Sequence, residues 1–254
     1  VPGRRWWPAV AAMRVVDRVY RLLARRVPTT VVGEEIARSY GAGLPTVLPI
    51  TVSLVRAADV APEVPARPWD GRLELLTVGR LEREKNPLLL VEALAELERM
   101  EPGRYHVTWV GRGPLQGDVL RLAERLGVRD RITLYGYVAF GEGLFELYRR
   151  ANLFVHVSLT EGVPQVIVEA LACGTPVVAT DVGGVGAAFG APGVALLVPP
   201  ADRDALVTAI RQVVGDGASR DARTRKGLEL VRGLTLEAES ERVARFIARE
   251  LAVE

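Results

Sequence analysis

The chain has 254 residues but only one cysteine, two histidines and two methionines, and only two of its 33 basic residues are lysine. One Cys excludes an internal disulfide and suits a reducing compartment, so a cytoplasmic location is expected. The two histidines, His106 and His156, sit in separate strand-like runs and give no metal-ligand spacing. No apolar run approaches the ~18 residues of a membrane span. Neither sign of charge dominates, the net being +2, so a nucleic-acid role for the whole protein has no support. The first residues carry no secretory-signal pattern. They read Val1-Pro2-Gly3 without a Met, so a fragment or a processed chain is expected. No nucleophile elbow pairs with Asp and His. Cys173 has no Cys/His catalytic setting and reads as a small core residue. With Lys85 and Lys226 the only lysines, an isolated Lys at a candidate site carries extra weight.

What is present is ordinary globular composition, 49% hydrophobic and 25% charged, enough for a full core and more than one domain. Strand-like runs are 73–79, 105–111, 131–136, 153–158, 176–180 and 194–198. Helical patterns cover 87–100, 115–127, 142–151 and 164–174. This alternation predicts an α/β fold, a Rossmann-like doubly wound parallel sheet with helices on both faces. Asn86-Pro87 reads as an N-cap followed by Pro at the first helical position, and Gly127 and Gly174 as helix C-caps. Two more helices are expected near 202–214 and 236–252, with a less regular stretch between. Residues 1–60 contain one helix and two βα steps, too few for a second doubly wound sheet, and read as the remnant of a truncated N-terminal domain. Residues 61–70, inside a stretch with three Pro, read as a linker, 71–232 as the main domain and 233–254 as a C-terminal helix that crosses back.

The helix at 9–26 carries Arg14, Arg18, Arg21 and Arg25 in one stripe. Such a helix can lie on an anionic membrane, here the inner face; a solvated face in an Arg-rich protein is the preferred reading.

Ligands of an open parallel sheet bind beyond the carboxyl ends of its strands. Gly79 opens the loop after the first long strand, and Arg80 and Lys85 precede a helix there, an arrangement suited to an anion. This loop is neither a Walker A loop nor GxGxxG, so ATPase and NAD readings lose support. The plainer alternative is that both cations pair with Glu82 and Glu84 on a solvated turn. Gly111-Arg112-Gly113 reads as a tight turn. Gly136-Tyr137-Val138 offers exposed backbone suited to a nucleobase edge. After the fourth run, Glu161-Gly162-Val163 leads to Pro164 at a helix start, where Gln165 and Val166 can present backbone N–H groups to a phosphate. Gln165, Glu169 and Cys173 form a narrow stripe on an apolar helix. A carboxylate flanked by Val168 and Ala170 needs a partner, and a ligand hydroxyl pair would serve. Asp202-Arg203-Asp204 matches a DxD pattern, but Asp before a helix is an ordinary cap.

The ordered set VGRLEREKNP (78–87), YGYV (135–138), TEGVPQVIVEALACGTPVVATDVGG (160–184) and LLVPPADRDAL (196–206) resembles the retaining glycosyltransferases of family 4, over about residues 67–250. The E-x7-E segment is its most specific part. The resemblance implies the GT-B architecture and transfer of a hexosyl group from a nucleoside-diphosphate sugar, of the UDP or GDP type, to a hydroxyl acceptor with retention. No metal and no cofactor beyond the donor is implied. Arg80 and Lys85 would hold the diphosphate, Glu161 the transferred sugar and Glu169 the ribose hydroxyls. Gly79, Gly162, Val163, Gln165 and Val166 would line the donor, and Gly136, Tyr137 and Val138 the base. Alternatives are a catalytically silent nucleotide-sugar binding module and a GT-B epimerase. Relatives show Pro-Glu where this chain has Gly186-Ala187, so sugar handling or the local loop is expected to differ. Because most of the acceptor-side domain is absent, this chain alone is expected to turn over donor poorly.

Overall fold

The computed structural model describes residues 7–41 and 43–251. They form two compact units, one of residues up to 52 together with those from 237 onward, the other of Ser53–Leu236. These limits differ from the boundaries read in the sequence.

The first unit contains α1 (Trp7–Leu23), β1 (Thr29–Val32), α2 (Glu34–Gly41), β2 (Val47–Ile50) and most of α9 (Leu236–Leu251). β1 and β2 pair in parallel as a two-stranded sheet. Arg242 and Arg249 of α9 donate to the carbonyls of Pro49 and Pro45. On α1, Arg21 pairs with Asp17, and Met13, Val15 and Leu22 are exposed. Among the described residues no helix is long and apolar enough to cross a membrane.

The second unit is a six-stranded parallel sheet in the order β5-β4-β3-β6-β7-β8. Its strands are β3 (Leu73–Val78), β4 (Tyr105–Val110), β5 (Ile132–Gly136), β6 (Leu153–His156), β7 (Val177–Thr180) and β8 (Ala195–Val198). All six fall within the runs read from β-branched residues. The central strands are buried on both faces, which is why they are apolar on both sides instead of alternating, whereas the edge strand β5 alternates and leaves Thr133 and Tyr135 exposed. One face is covered by α3 (Pro87–Met100), α4 (Gln116–Arg125) and α7 (Arg203–Gly215), burying Leu90, Leu94, Val119 and Ile210. The other is covered by α5 (Glu142–Arg150) and α6 (Gln165–Ala172), burying Phe145, Tyr148, Ile167 and Leu171.

The helix ends show local chemistry at work. Gly174 takes φ 60° after α6, and Gly174 and Thr175 donate to the Leu171 and Ala170 carbonyls, a Schellman closure. Gly127 closes α4 in the same way. Asp202 caps α7 by accepting from the Ala205 amide, as the capping reading of Asp202-Arg203-Asp204 requires. Asn86 does not cap α3 through its side chain. It adopts a left-handed conformation, φ 47°, that links a 3-10 turn at Arg83–Lys85 to the helix, a conformation Asn tolerates better than most residues.

Two expectations change. The stretch between α7 and α9 is a full helix, α8 (Gly217–Arg232), capped by Asp216. Its apolar face is thin, and one of its contact positions is Gly227, whose missing Cβ lets α8 press against Leu171 of α6. Residues 61–70 are laid onto the second unit. Arg67 donates to the Gly174 and Cys173 carbonyls at the C-terminal end of α6, and Arg220 stacks over Trp69 at 3.7 Å.

Candidate functional site

The strand order reverses between β3 and β6, because the chain runs outward from β3 to β5 and then returns to start β6 on the other side. Loops after adjacent strands of opposite winding diverge there and leave a crevice at the carboxyl ends. The two loops at this point are 79–86 after β3 and 157–164 after β6.

Across this point Lys85 and Glu161 meet. Lys85 Nζ lies 2.5 Å from Glu161 Oε1, with side-chain exposures of 21% and 11%. His156, the last residue of β6, reaches the same oxygen through Nε2 at 3.0 Å and is buried. Burial alone would raise the Glu161 pKa. The hydrogen bonds from His156 and Lys85 outweigh it and hold the carboxyl at about 2. An ionised carboxylate only accepts, so the His156 nitrogen facing it carries the proton. The Ser158 hydroxyl adds to the same effect, although it is buried and makes no hydrogen bond of proper geometry.

Arg80 behaves differently from Lys85. Its exposed side chain pairs with Glu82 at 3.1 Å and Glu84 at 2.6 Å, the solvated-turn arrangement that the sequence left open for both cations. Lys85 does not join that turn.

Glu169 faces inward on α6 and is 7% exposed. Its Oε2 accepts from the fully buried Tyr148 hydroxyl at 2.8 Å. Among the described residues no other group hydrogen-bonds to this carboxyl. Burial raises its pKa, and the Tyr148 bond opposes the rise. α6 begins at Gln165, one position later than the expected start at Pro164, which is the extended residue before the helix. The Gln165 and Val166 amides, being in the first turn, have no intrahelical acceptor. Cys173 is buried, and desolvation pushes its thiol up to about 12, a core residue with no nucleophilic role.

The glycines fix the loops. A Cβ on Gly111 would overlap the Gly79 carbonyl, and one on Gly113 the Leu81 backbone, so Gly111-Arg112-Gly113 is a close backbone crossing more than a tight turn. Trp109 Nε1 donates to that Gly79 carbonyl at 2.8 Å, and the Gly111 amide donates to Gly136. The loops after β3, β4 and β5 are thereby tied together, with Gly136 at φ 84° and Tyr137 exposed beside them.

The 157–163 loop is pinned at three places. The Leu159 amide donates to the Glu84 carbonyl, Thr180 Oγ1 donates to the Ser158 carbonyl, and Gly183-Gly184 lie flat against Glu161 and Gly162. A Cβ on Gly183 would overlap the Glu161 carbonyl oxygen, and Gly183 has φ 52°. Gly183→Ala therefore combines left-handed strain with a displaced Glu161, and is expected to cost at least about 2 kcal/mol of stability. Chemical denaturation measures it; a wild-type midpoint would show that the loop yields freely. A Cβ on Gly186 would overlap the Asp181 carboxyl, and Gly186–Gly190 forms a π-helical turn. The loop that replaces Pro-Glu is thus built around a missing side chain.

The structure brings Lys85, Glu161 and the start of α6 to the strand ends around one crossover, while Glu169 lies a turn further along α6 against Tyr148. Sequence reading underweighted His156 and missed Tyr148 and Gly183. For His156 the available signal was its place at a strand end, five positions before Glu161.

Residues 65–229 match the model of the family described as Glycosyl transferases group 1. The chain is 33% identical over 226 residues to glycogen synthase of Mycobacterium tuberculosis (strain CDC 1551 / Oshkosh), covering 86% of this chain and 53% of that protein. It is 36% identical over 160 residues to D-inositol 3-phosphate glycosyltransferase of Nocardia farcinica, covering 61% of this chain and 35% of that protein. The chain thus spans about half or less of these curated relatives. Among solved structures, sucrose-phosphate synthase from Thermosynechococcus elongatus superposes with a TM-score of 0.69 at 26% identity, covering 95% of this chain and 63% of that one. Anabaena HepE in complex with UDP superposes with a TM-score of 0.75 at 20% identity, covering 92% and 67%, a likeness of fold.

Proposed function

The chain belongs to the glycosyl transferases group 1 family, and from that premise we propose that its second unit binds the nucleotide-sugar donor of a retaining hexosyl transfer to a hydroxyl acceptor. The observation that carries this reading is the contact of Lys85 and Glu161 at the point where the strand order reverses. A diphosphate leaving group gathers negative charge as the bond to the sugar breaks. Lys85, Arg80 and the amides of Gly162, Val163, Gln165 and Val166 would meet it, Lys85 by turning from Glu161. Arg80 sits on an exposed turn and would leave Glu82 and Glu84 to do so. Glu161 is the carboxylate for the transferred sugar, and Glu169 accepts from the ribose hydroxyls on the oxygen that Tyr148 leaves free. Gly79 and the Gly136-Tyr137-Val138 edge border the nucleotide. The donor is a UDP or GDP sugar; the UDP bound in HepE, a protein of the same fold, favours the first.

A thermal-shift panel of UDP, GDP, ADP and their sugars tests this. Stabilisation by one nucleotide and its sugar is expected, and a flat panel overturns the reading. Glu169→Ala is expected to weaken nucleoside diphosphate binding by about 1–3 kcal/mol, whereas Tyr148→Phe, which keeps the carboxylate, is expected to retain most of the affinity. Titration calorimetry separates them, and unchanged affinity in Glu169→Ala removes the ribose assignment.

A further inference from the structure

Glu161 Oε1 is held by two donors of opposite character. Lys85 reaches it from a 3-10 turn on a flexible four-carbon stem, and its side chain keeps 21% exposure. His156 reaches it from inside the sheet. Its backbone is laddered to Ala179 of β7, its ring stacks on Phe154 at 6.3 Å between centroids, and its side chain is 3% exposed. In the functional reading above, on which this inference rests, the Lys85 ammonium is also needed at the donor diphosphate. A flexible cation can turn toward the phosphate; a carboxylate left behind in a largely buried position needs a second partner to stay ionised and in place.

We propose that His156 is a positioning residue: its ring N–H anchors the Glu161 carboxylate so that this group remains aimed at the transferred sugar when Lys85 shifts to the diphosphate. His156 itself touches no substrate. The geometry assigns the two donors different tasks, a fixed one for orientation and a mobile one for charge. The buried Ser158 hydroxyl, without a hydrogen bond of its own, lies in the same pocket and can take up part of the carboxylate when the ammonium leaves.

The test compares affinities for UDP against UDP-glucose and GDP against GDP-mannose in wild type, His156→Ala and His156→Gln, with melting curves as the folding control. In wild type the sugar is expected to add affinity over the nucleotide alone. In His156→Ala nucleotide affinity is expected to stay within about twofold while the sugar increment falls about tenfold, the scale of one lost polar contact. In His156→Gln, whose amide N–H reaches the place of Nε2, most of the increment is restored. A purely structural role would weaken nucleotide and nucleotide sugar alike, and that outcome overturns the proposal, as does an unchanged increment in His156→Ala or no increment in wild type. Failure of wild type to bind any nucleotide removes the functional reading together with this one. Should His156→Ala not fold, nitrogen NMR of the imidazoles in the intact chain decides, because only His106 and His156 contribute. Glu161→Gln is expected to move the protonated-nitrogen signal of His156 and leave that of His106, which bonds Glu74 and Thr133. A His156 signal that stays put overturns the proposal.

Discussion

Lys85→Ala is expected to lower stability by about 2–4 kcal/mol and nucleoside diphosphate affinity by about 10- to 100-fold. The two losses have separate origins. Stability falls because the substitution strands a carboxylate that is only 11% exposed, leaving His156 as its one remaining strong donor. Affinity falls because the chain loses its single lysine at the donor site and the charge assigned to the leaving group. The double variant Lys85→Ala/Glu161→Gln distinguishes them. Removing the stranded charge is expected to restore part of the stability, measured by urea denaturation, while nucleotide affinity, measured by calorimetry, stays low. Restoration of both would show that Lys85 serves only to neutralise Glu161. Arg80→Ala is the contrast: its side chain is 63% exposed on a solvated turn, so its stability cost is at most about 1 kcal/mol and any larger effect appears in binding.

The fold was legible wherever composition and burial coincide. Strands buried on both faces must be continuous apolar runs, and these were visible as such, together with the half-exposed edge strand β5 and the helices whose stripes face the sheet. α8 was not visible, because its packing uses Gly227 against Leu171 and a buried Arg220 over Trp69, not an apolar stripe. The 61–70 segment looked like a linker because Pro and polar residues dominate it. Its attachment runs through backbone carbonyls that Arg67 reaches, and no periodicity reports that. Both misses have one cause: contacts made by backbone and by cation faces leave no hydrophobic pattern.

The site divides along the same line. Lys85 stood out as one of two lysines, placed beside a helix start suited to an anion, Glu161 as the acid of the E-x7-E segment, and Glu169 because a charge inside an apolar helix is costly unless it has a partner. What each charge would touch was not legible. Glu84 lies next to Lys85 in sequence, yet the ammonium crosses to Glu161 while Arg80 takes Glu84. Tyr148 and Glu169 meet through the packing of α5 on α6, and Gly183 touches Glu161 because β6 and β7 are neighbours. Sheet order decides these pairings, and sheet order is a property of the whole unit.

The second large effect is on acid stability. Glu161 has its carboxyl held at about 2 in the folded chain, against an ordinary value near 4.3. The unfolded chain therefore binds the proton more readily in this window, so stability rises with pH across it. The contribution is fully present above the ordinary value and is lost as pH falls toward the folded one. Between about pH 6 and about pH 3 wild type is expected to lose about 2 kcal/mol more than Glu161→Gln, whose amide does not titrate in this range. Glu169 acts in the opposite sense. Its folded pKa is raised, so its contribution is present at low pH and lost as pH rises through the folded value. The windows do not coincide, because Glu169 acts above the ordinary carboxyl range and Glu161 below it. Glu96 and Glu142, also held low, titrate in the same window in both proteins, so the difference between wild type and Glu161→Gln in urea denaturation from about pH 3 to about pH 4.5 reports Glu161. Parallel pH slopes for wild type and Glu161→Gln in that interval would mean that His156 and Lys85 do not hold the carboxylate in solution as they do in the structure.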